Sequence, residues 1–280
     1  MKKLTIGMAT YDDFDGVYFT LQSIRFHHPE VLDRLEFVII DNNPTSPHGQ
    51  AIRDLIKWVD QPVQYLPYTK KKSTSVRNKI FDLAETEYVM SIDCHCLLEA
   101  GSLSKLLDFF DSGQDRGNLL QGPLIYDDLK SCSTHFNDTW GGLMWGQWDT
   151  DERGSNKDNP PFEIQSQGCG LFTCRKDSWL RFNDSFEGFG GEEGYIQEKY
   201  RQAGKKTMCL PFLRWMHRFA RPVPPSYPNT NEGRFRNYII GFTELQLDTT
   251  DMIRRFREVI GDEATDRVLK DTLSSINALE

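Results

Sequence analysis

Thr86-Glu87-Tyr88-Val89-Met90-Ser91-Ile92-Asp93-Cys94-His95-Cys96 reads as a short β-type run that delivers a carboxylate and an imidazole, one residue apart, to its carboxyl end. In an open α/β sheet, ligands bind in the crevice at the carboxyl ends of the strands. An Asp-x-His pair in that crevice offers mixed oxygen and nitrogen ligation of the kind that suits Mn²⁺ or a similar divalent ion. An isolated Asp-x-His equally suits a hydrogen-bonded surface turn, so its meaning depends on the rest of the chain.

Upstream, residues 4–11 read as a first strand, followed by a polar loop from Asp12 to Asp15. Residues 16–27 then carry Val17, Leu21 and Ile24 at helical spacing. Phe37-Val38-Ile39-Ile40 is a second buried strand ending at the turn cluster Asp41-Asn42-Asn43-Pro44. Residues 50–59 predict a helix, 63–66 a short strand, and 75–85 a helix leading into the motif strand. This alternation predicts an α/β fold built on a mostly parallel, doubly wound sheet with flanking helices. No glycine-rich Walker or dinucleotide fingerprint is present, which leaves a kinase or dehydrogenase without support.

Downstream, Gly190-Gly191-Glu192-Glu193 sets two adjacent carboxylates at a glycine turn that opens a helix over residues 194–203. Negative charge suits a helix N-terminus for its own sake, and it equally suits contact with a hydroxyl-rich ligand. The stretch from 122 to 167 centres on Trp140-Gly141-Gly142-Leu143-Met144-Trp145-Gly146-Gln147-Trp148, an aromatic platform beside a flexible loop. Residues 149–159, ending at Pro160-Pro161, read as an exposed loop. Near the C-terminus, Thr250-Asp251 caps a helix through Val259, and Gly261-Asp262-Glu263 begins another with apolar positions at Val268, Leu269, Leu273 and Ile276.

The chain has 280 residues, enough for one large α/β domain or two fused lobes. Its formal net charge of -8 argues against a protein that wraps nucleic acid, because phosphate binding needs a basic face. Positive charge is local, at Lys70-Lys71-Lys72 and at Arg214, Arg218 and Arg221 around His217. No apolar run reaches the ~18 residues of a membrane helix, and Met-Lys-Lys leads into a strand, not into the apolar stretch of a signal peptide. Cys94, Cys96, Cys132, Cys169, Cys174 and Cys209 have spacings unlike those of structural zinc sites and lie mostly in apolar contexts. The expectation is a cytoplasmic protein with reduced thiols.

Taken in order, four segments resemble those of the polypeptide N-acetylgalactosaminyltransferases and of related family 2-like glycosyltransferases of the GT-A fold. Asp93-Cys94-His95-Cys96 resembles their Asp-x-His-Cys motif, and Gly168-Cys169-Gly170-Leu171-Phe172 their Gly-Gly-Leu-Phe segment. Phe189-Gly190-Gly191-Glu192-Glu193 resembles Trp-Gly-Gly-Glu-Asn, and Met216-His217-Arg218-Phe219 their His-x-Phe-Arg region. The resemblance spans roughly residues 4 to 240.

It implies a GT-A fold with a short helical C-terminal extension: residues 1–122 as the nucleotide-sugar half, 123–240 as the acceptor and catalytic half, and 241–280 as the extension. It implies a Mn²⁺ or Mg²⁺ ion on Asp93, His95 and His217. The donor would be a nucleoside-diphosphate sugar, with UDP-sugars first, held by Thr10, Tyr11, Asp41, Arg77 and Asp93, with Arg218 and Arg221 on the diphosphate and a Pro-rich lid at 220–231. The Trp-rich stretch would face the acceptor. Glu192 would contact a sugar or acceptor hydroxyl. Glu193 stands where inverting GT-A enzymes place an Asp and where the N-acetylgalactosaminyltransferases have Asn, so inversion and retention both stay open. The acceptor stays open among glycan, protein, small molecule and modified nucleic-acid base, and the oligomer between monomer and homodimer. Two rivals are a sugar-phosphate nucleotidyltransferase, disfavoured by the acidic Asp12–Asp15 loop, and a catalytically silent sugar-binding module.

Overall fold

The computed structural model describes residues 2–220 and 229–278. Its first half runs β1 (Leu4–Thr10), α1 (Phe14–His27), β2 (Leu35–Asp41), α2 (Pro47–Ile56), β3 (Val63–Pro67), α3 (Asn78–Leu83), β4 (Tyr88–Ile92), β5 (Cys96–Leu98) and α4 (Ser102–Asp111). Then come β6 (Leu119–Gln121), β7 (Leu124–Ile125), β8 (Cys132–Ser133), β9 (His135–Gly141), β10 (Met144–Asp149), β11 (Phe162–Ile164) and β12 (Leu171–Arg175). The chain continues through α5 (Glu192–Gln202), β13 (Thr207–Cys209), β14 (Trp215–His217), α6 (Asn231–Glu244), α7 (Thr250–Ile260) and α8 (Asp262–Asn277).

The main sheet has the order β11-β13-β6-β12-β4-β1-β2-β3. The alternating first hundred residues form its parallel part, β4-β1-β2-β3. Beyond β4 the sheet is mixed: β12 lies antiparallel between β4 and β6, and β11 lies antiparallel to β13 at the edge. Side chains alternate between the two faces of a strand, and both faces here are covered. Phe37 and Ile39 of β2 join one apolar cluster with Val17, Leu21 and Leu106, while Val38 and Ile40 join another with Ile80, Phe172 and Tyr195. That double burial explains the unbroken Phe-Val-Ile-Ile run.

Several boundaries differ from the sequence reading. The second helix starts at Pro47, where Ser46 accepts a hydrogen bond from the Gly49 N–H at 3.1 Å and proline occupies the first turn. The third is split, with a 3₁₀ turn at Thr74–Arg77 ahead of α3. The Trp-rich stretch, expected as an aromatic platform beside a flexible loop, is an antiparallel hairpin, β9–β10. Gly142, at φ +61°, turns its corner, and Phe136 packs edge-on against Trp148 at 4.5 Å.

Helix α6 follows Thr230, whose hydroxyl accepts from the Gly233 N–H at 3.0 Å. It was not foreseen, and the 240/241 division falls inside it. Phe235 stacks on Phe256 of α7 at 4.7 Å, which ties the C-terminal helices to the rest of the chain. No helix among the described residues is long and apolar enough to cross a membrane, and all six cysteines are free and buried.

A four-stranded sheet, β5-β14-β7-β8, positions the chemistry. Its antiparallel β14–β5 register sets His217 opposite Cys96, and the Arg218 N–H donates to the His95 carbonyl at 3.0 Å. This pairing carries His217 across more than a hundred residues of sequence to the motif after β4.

Candidate active site

At the end of β4 the Asp93 N–H donates to the Gly170 carbonyl at 2.8 Å, which fixes the Asp-x-His turn to the Gly-Cys-Gly segment before β12. Gly170 has no room for a side chain, since a Cβ there would lie 2.9 Å from the Trp215 ring and 3.5 Å from His217. From this turn Asp93 and His95 face His217. The two imidazole Nε2 atoms are 3.0 Å apart, and Asp93 Oδ2 lies 3.5 Å from His217 Nε2. The three expected metal ligands therefore converge, with donor atoms within 4.8 Å of one another.

A fourth residue, not foreseen, stands behind them. Asp13 Oδ2 is 2.9 Å from His95 Nδ1, and its Oδ1 accepts from the Gly16 N–H at 3.0 Å, capping α1. A carboxylate on Nδ1 keeps the proton on that nitrogen and leaves the His95 Nε2 lone pair facing His217. Gly16 allows α1 to approach, because a Cβ there would fall 2.4 Å from the Cys94 carbonyl oxygen. Asp13, Cys94 and His95 form a second convergent group, with the Cys94 thiol 3.7 Å from Asp13. The clue in the sequence was an Asp three residues before a glycine at the start of an amphipathic helix, a capping pattern directly after a strand.

The expected donor residue Arg77 is buried here, and its guanidinium links both carboxylate centres. Nη2 donates to Asp93 Oδ1 at 2.7 Å and Nη1 lies 3.7 Å from Glu192 Oε1. Burial works against the charged form of Asp93, yet Arg77, His217 and His95 outweigh it and hold that carboxyl well below the usual carboxylate range. Glu192, 1% exposed, accepts from the Gly190 N–H at 3.0 Å through Oε2. Burial pushes its carboxyl up against the pull of Arg77.

Gly190 and Gly191, at φ +101° and +94°, take a backbone conformation that side chains disfavour, and this turn places Glu192 and Glu193 in the first turn of α5. Burial and the neighbouring Glu192 push the Glu193 carboxyl up to about 8.

The remaining candidates are distributed along the strand tips. Thr10 ends β1, with its hydroxyl buried, and the Tyr11 hydroxyl accepts from Lys72 Nζ at 2.9 Å while the ammonium sits 5.1 Å from its ring centroid. Asp41 is 1% exposed; its carboxylate accepts from the Tyr65 hydroxyl at 2.6 Å and from the Asn43 N–H at 2.9 Å, so it organises the Asn42-Asn43-Pro44 turn. Arg218 is exposed beside the histidines, and Phe219 packs on His217 with ring centroids 4.2 Å apart. Arg221 and most of the expected lid, residues 221–228, lie outside the described residues.

The overall fold matches those of solved glycosyltransferases. GalNAc-T7, solved with UDP, GalNAc and Mn²⁺, superposes with a TM-score of 0.64 at 15% identity over 91% of this chain. The match covers 54% of the GalNAc-T7 chain, about half its length. The mannosyltransferase PcManGT of Pyrobaculum calidifontis, with GDP-Man and Mn²⁺, gives 0.60 at 14% identity over 99% of this chain and 74% of its own. TarS 1-349 of S. aureus, with UDP-GlcNAc, gives 0.56 at 14% identity, covering 92% and 71%. These likenesses establish the GT-A fold. No curated protein matches the sequence. The Glycosyl transferase family 2 model matches residues 5–179, more than half the chain, including the Asp93–His95 turn, Arg77 and Asp13, and the chain belongs to that family.

Proposed function

We propose that this protein transfers a sugar from a nucleoside-diphosphate sugar, with UDP-sugars the first choice, to a hydroxyl acceptor, using Mn²⁺ or Mg²⁺ held by Asp93, His95 and His217. The observation that carries the proposal is the convergence of one carboxylate and two imidazoles, 3.0–3.5 Å apart, at the carboxyl end of β4. A carboxylate with two imidazoles fits a divalent ion and leaves coordination positions for phosphate oxygens. Solved relatives by fold carry Mn²⁺ with UDP or GDP-Man, and TarS carries UDP-GlcNAc. When bound, the ion supplies Lewis-acid stabilisation of the leaving diphosphate.

The chain's own groups do the rest. Asp13 keeps His95 in the tautomer that presents Nε2. Arg77 holds one oxygen of Asp93 and leaves the other toward the histidines. Thr10, Tyr11 and Asp41 line the strand tips where the nucleoside lies, and Arg218 meets the diphosphate, with Arg221 beside it. Glu193 acts as general base: the acceptor oxygen bonds to the anomeric carbon as the bond to the diphosphate oxygen breaks, and the acceptor proton passes to the Glu193 carboxylate. Glu192 orients a sugar or acceptor hydroxyl. This in-line displacement inverts the anomeric centre. Residues 1–122 serve the donor, 123–240 the acceptor and catalysis, and 241–280 brace them in a cytoplasmic enzyme whose buried thiols stay reduced.

The test is thermal stabilisation by UDP-GlcNAc, UDP-GalNAc, UDP-Glc and GDP-Man with Mn²⁺ or with excess chelator, followed by transfer assays and NMR assignment of the product anomer. Stabilisation by one donor that needs Mn²⁺ and vanishes in Asp93→Ala and His95→Ala is expected. Donor binding indifferent to chelator refutes the metal role, and a retained anomer refutes the base role of Glu193.

A further inference from the structure

Beside the first turn of α5 is a cavity of about 460 Å³, walled by the Trp hairpin, α5, α6 and the start of α7. Its volume lies within the ~300–1,000 Å³ typical of small-ligand sites. It follows one face of α5, from Gly191 and Gly194 to Glu198 and Arg201, positions spaced by three and four residues. One end therefore abuts the turn that carries Glu192 and Glu193, and the other points away from the metal ligands.

The walls are aromatic and held in place. Trp140 and Trp145 meet edge to face at 5.4 Å, and Trp140 lies 5.1 Å from the Tyr238 ring. The Tyr238 hydroxyl accepts from the Trp145 N–H at 2.8 Å. Gly194 makes room for Trp145, since a Cβ there would sit 2.9 Å from the indole.

Gln197, 2% exposed, lines the same cavity; its Nε2 donates to the Gln167 carbonyl, and its Oε1 has no hydrogen-bond partner among the described residues. A buried acceptor left unpaired is unfavourable, and a ligand hydroxyl reaching it removes that cost. The charged lining is dominated by Asp138, Glu198, Asp248 and Asp251, and Arg201, the basic group among the lining residues, is paired with Glu198. Such walls oppose phosphate and carboxylate groups. The ligand chemistry they favour is uncharged, rich in hydroxyl donors, and has apolar C–H faces for indole rings.

Resting on the transferase reading, we propose that this cavity is an acceptor subsite for a neutral glycan, whose attacked hydroxyl lies at Glu193 and whose following sugar lies along α5 against Trp140, Trp145 and Tyr238. The experiment is calorimetric titration of the metal-free protein, without donor, with cellotetraose, chitotetraose, mannotetraose and, as the anionic control, tetragalacturonate. Variants are Trp140→Ala and the size-conserving Gln197→Met, each checked for native far-UV dichroism.

At least one neutral tetrasaccharide should bind saturably and tetragalacturonate should not. Loss of one buried hydrogen bond in Gln197→Met should weaken binding about five- to tenfold, and Trp140→Ala about tenfold or more. Three results overturn the proposal: no binding by any neutral tetrasaccharide, equal or tighter binding of tetragalacturonate, or neutral binding unchanged in both variants. Because donor and ion are absent from the titration, these failures leave Mn²⁺-dependent donor stabilisation untouched. Loss of that stabilisation alone sinks the transferase reading instead.

Discussion

Replacing Glu193 by Gln should make the protein more stable and less active, and the stability gain should depend on pH. The Glu193 carboxyl is pushed up from 4.5 to about 8 by burial and by Glu192. Below pH ~4.5 it is protonated in both folded and unfolded chains and contributes nothing. Between 4.5 and 8 the unfolded chain ionises freely while the folded one resists, so stability falls as pH rises and levels off above 8. At ~1.4 kcal/mol per pH unit, the displacement sets a ceiling of ~5 kcal/mol.

Glu193 is partly exposed and shares its repulsion with Glu192, so the gain on neutralisation should be about 1–3 kcal/mol above pH 8, a rise of about 3–8 °C in Tm. The assay is thermal melting of wild type and Glu193→Gln from pH 5 to 8.5 in chelator. The difference should be near zero at pH 5 and grow toward pH 8. The same substitution should lower kcat by about 10²–10⁴, and wild-type kcat/KM should climb with pH toward about 8 as the base ionises. A Tm difference flat in pH, or a destabilised variant at pH 8.5, refutes the electrostatic reasoning; undiminished kcat refutes the role.

Asp13→Asn keeps the helix cap but removes the charged partner of His95 Nδ1, so calorimetric Mn²⁺ affinity should fall about 10–100-fold while Tm changes little. Gly16→Ala drives a Cβ toward the Cys94 carbonyl, 2.4 Å away, and should cost about 1–3 kcal/mol by urea unfolding, with weaker Mn²⁺ binding. Arg77→Met leaves Asp93 and Glu192 without their cation and should destabilise by about 3–5 kcal/mol in the same assay.

The parallel half of the fold was legible because β1, β2 and β4 are buried on both faces, and continuous apolar runs between helical patterns have few other readings. The mixed half was less so: β12 joins the sheet by inserting between β4 and β6, a tertiary choice with no local mark. In the Trp stretch the aromatic platform was legible and its two strands were not, because closely spaced glycines suit a loop as well. The Gly142-Leu143 corner between Gly141 and Met144, with Gly142 at positive φ, also suits a two-residue hairpin turn. Helix α6 had its periodic residues, Phe235, Tyr238, Ile239 and Phe242, but they followed a proline-rich segment that drew the reading toward a loop. In the candidate site, Asp93 and His95 were visible as one motif. His217 needed the motif order, since its position is set by the β14–β5 register, and Asp13 was passed over as one acid in a polar loop.

Charge ties these residues into one device. Asp93, Glu192 and Glu193 gather around the buried Arg77 guanidinium, which is already engaged by the first two, while Asp13 sits on the far nitrogen of His95. A diphosphate brought alone to this crevice would add negative charge to a surplus, in a setting where burial strengthens every repulsion. Accompanied by a divalent cation on Asp93, His95 and His217, it brings little net charge. Burial first, and then the Glu192 charge, push the Glu193 carboxyl up to about 8. Arg77 thus acts on two carboxyls at once, helping to hold Asp93 ionised while opposing the upward push of burial on Glu192, and under the proposed function an acidic crevice of this kind would couple donor binding to cation binding.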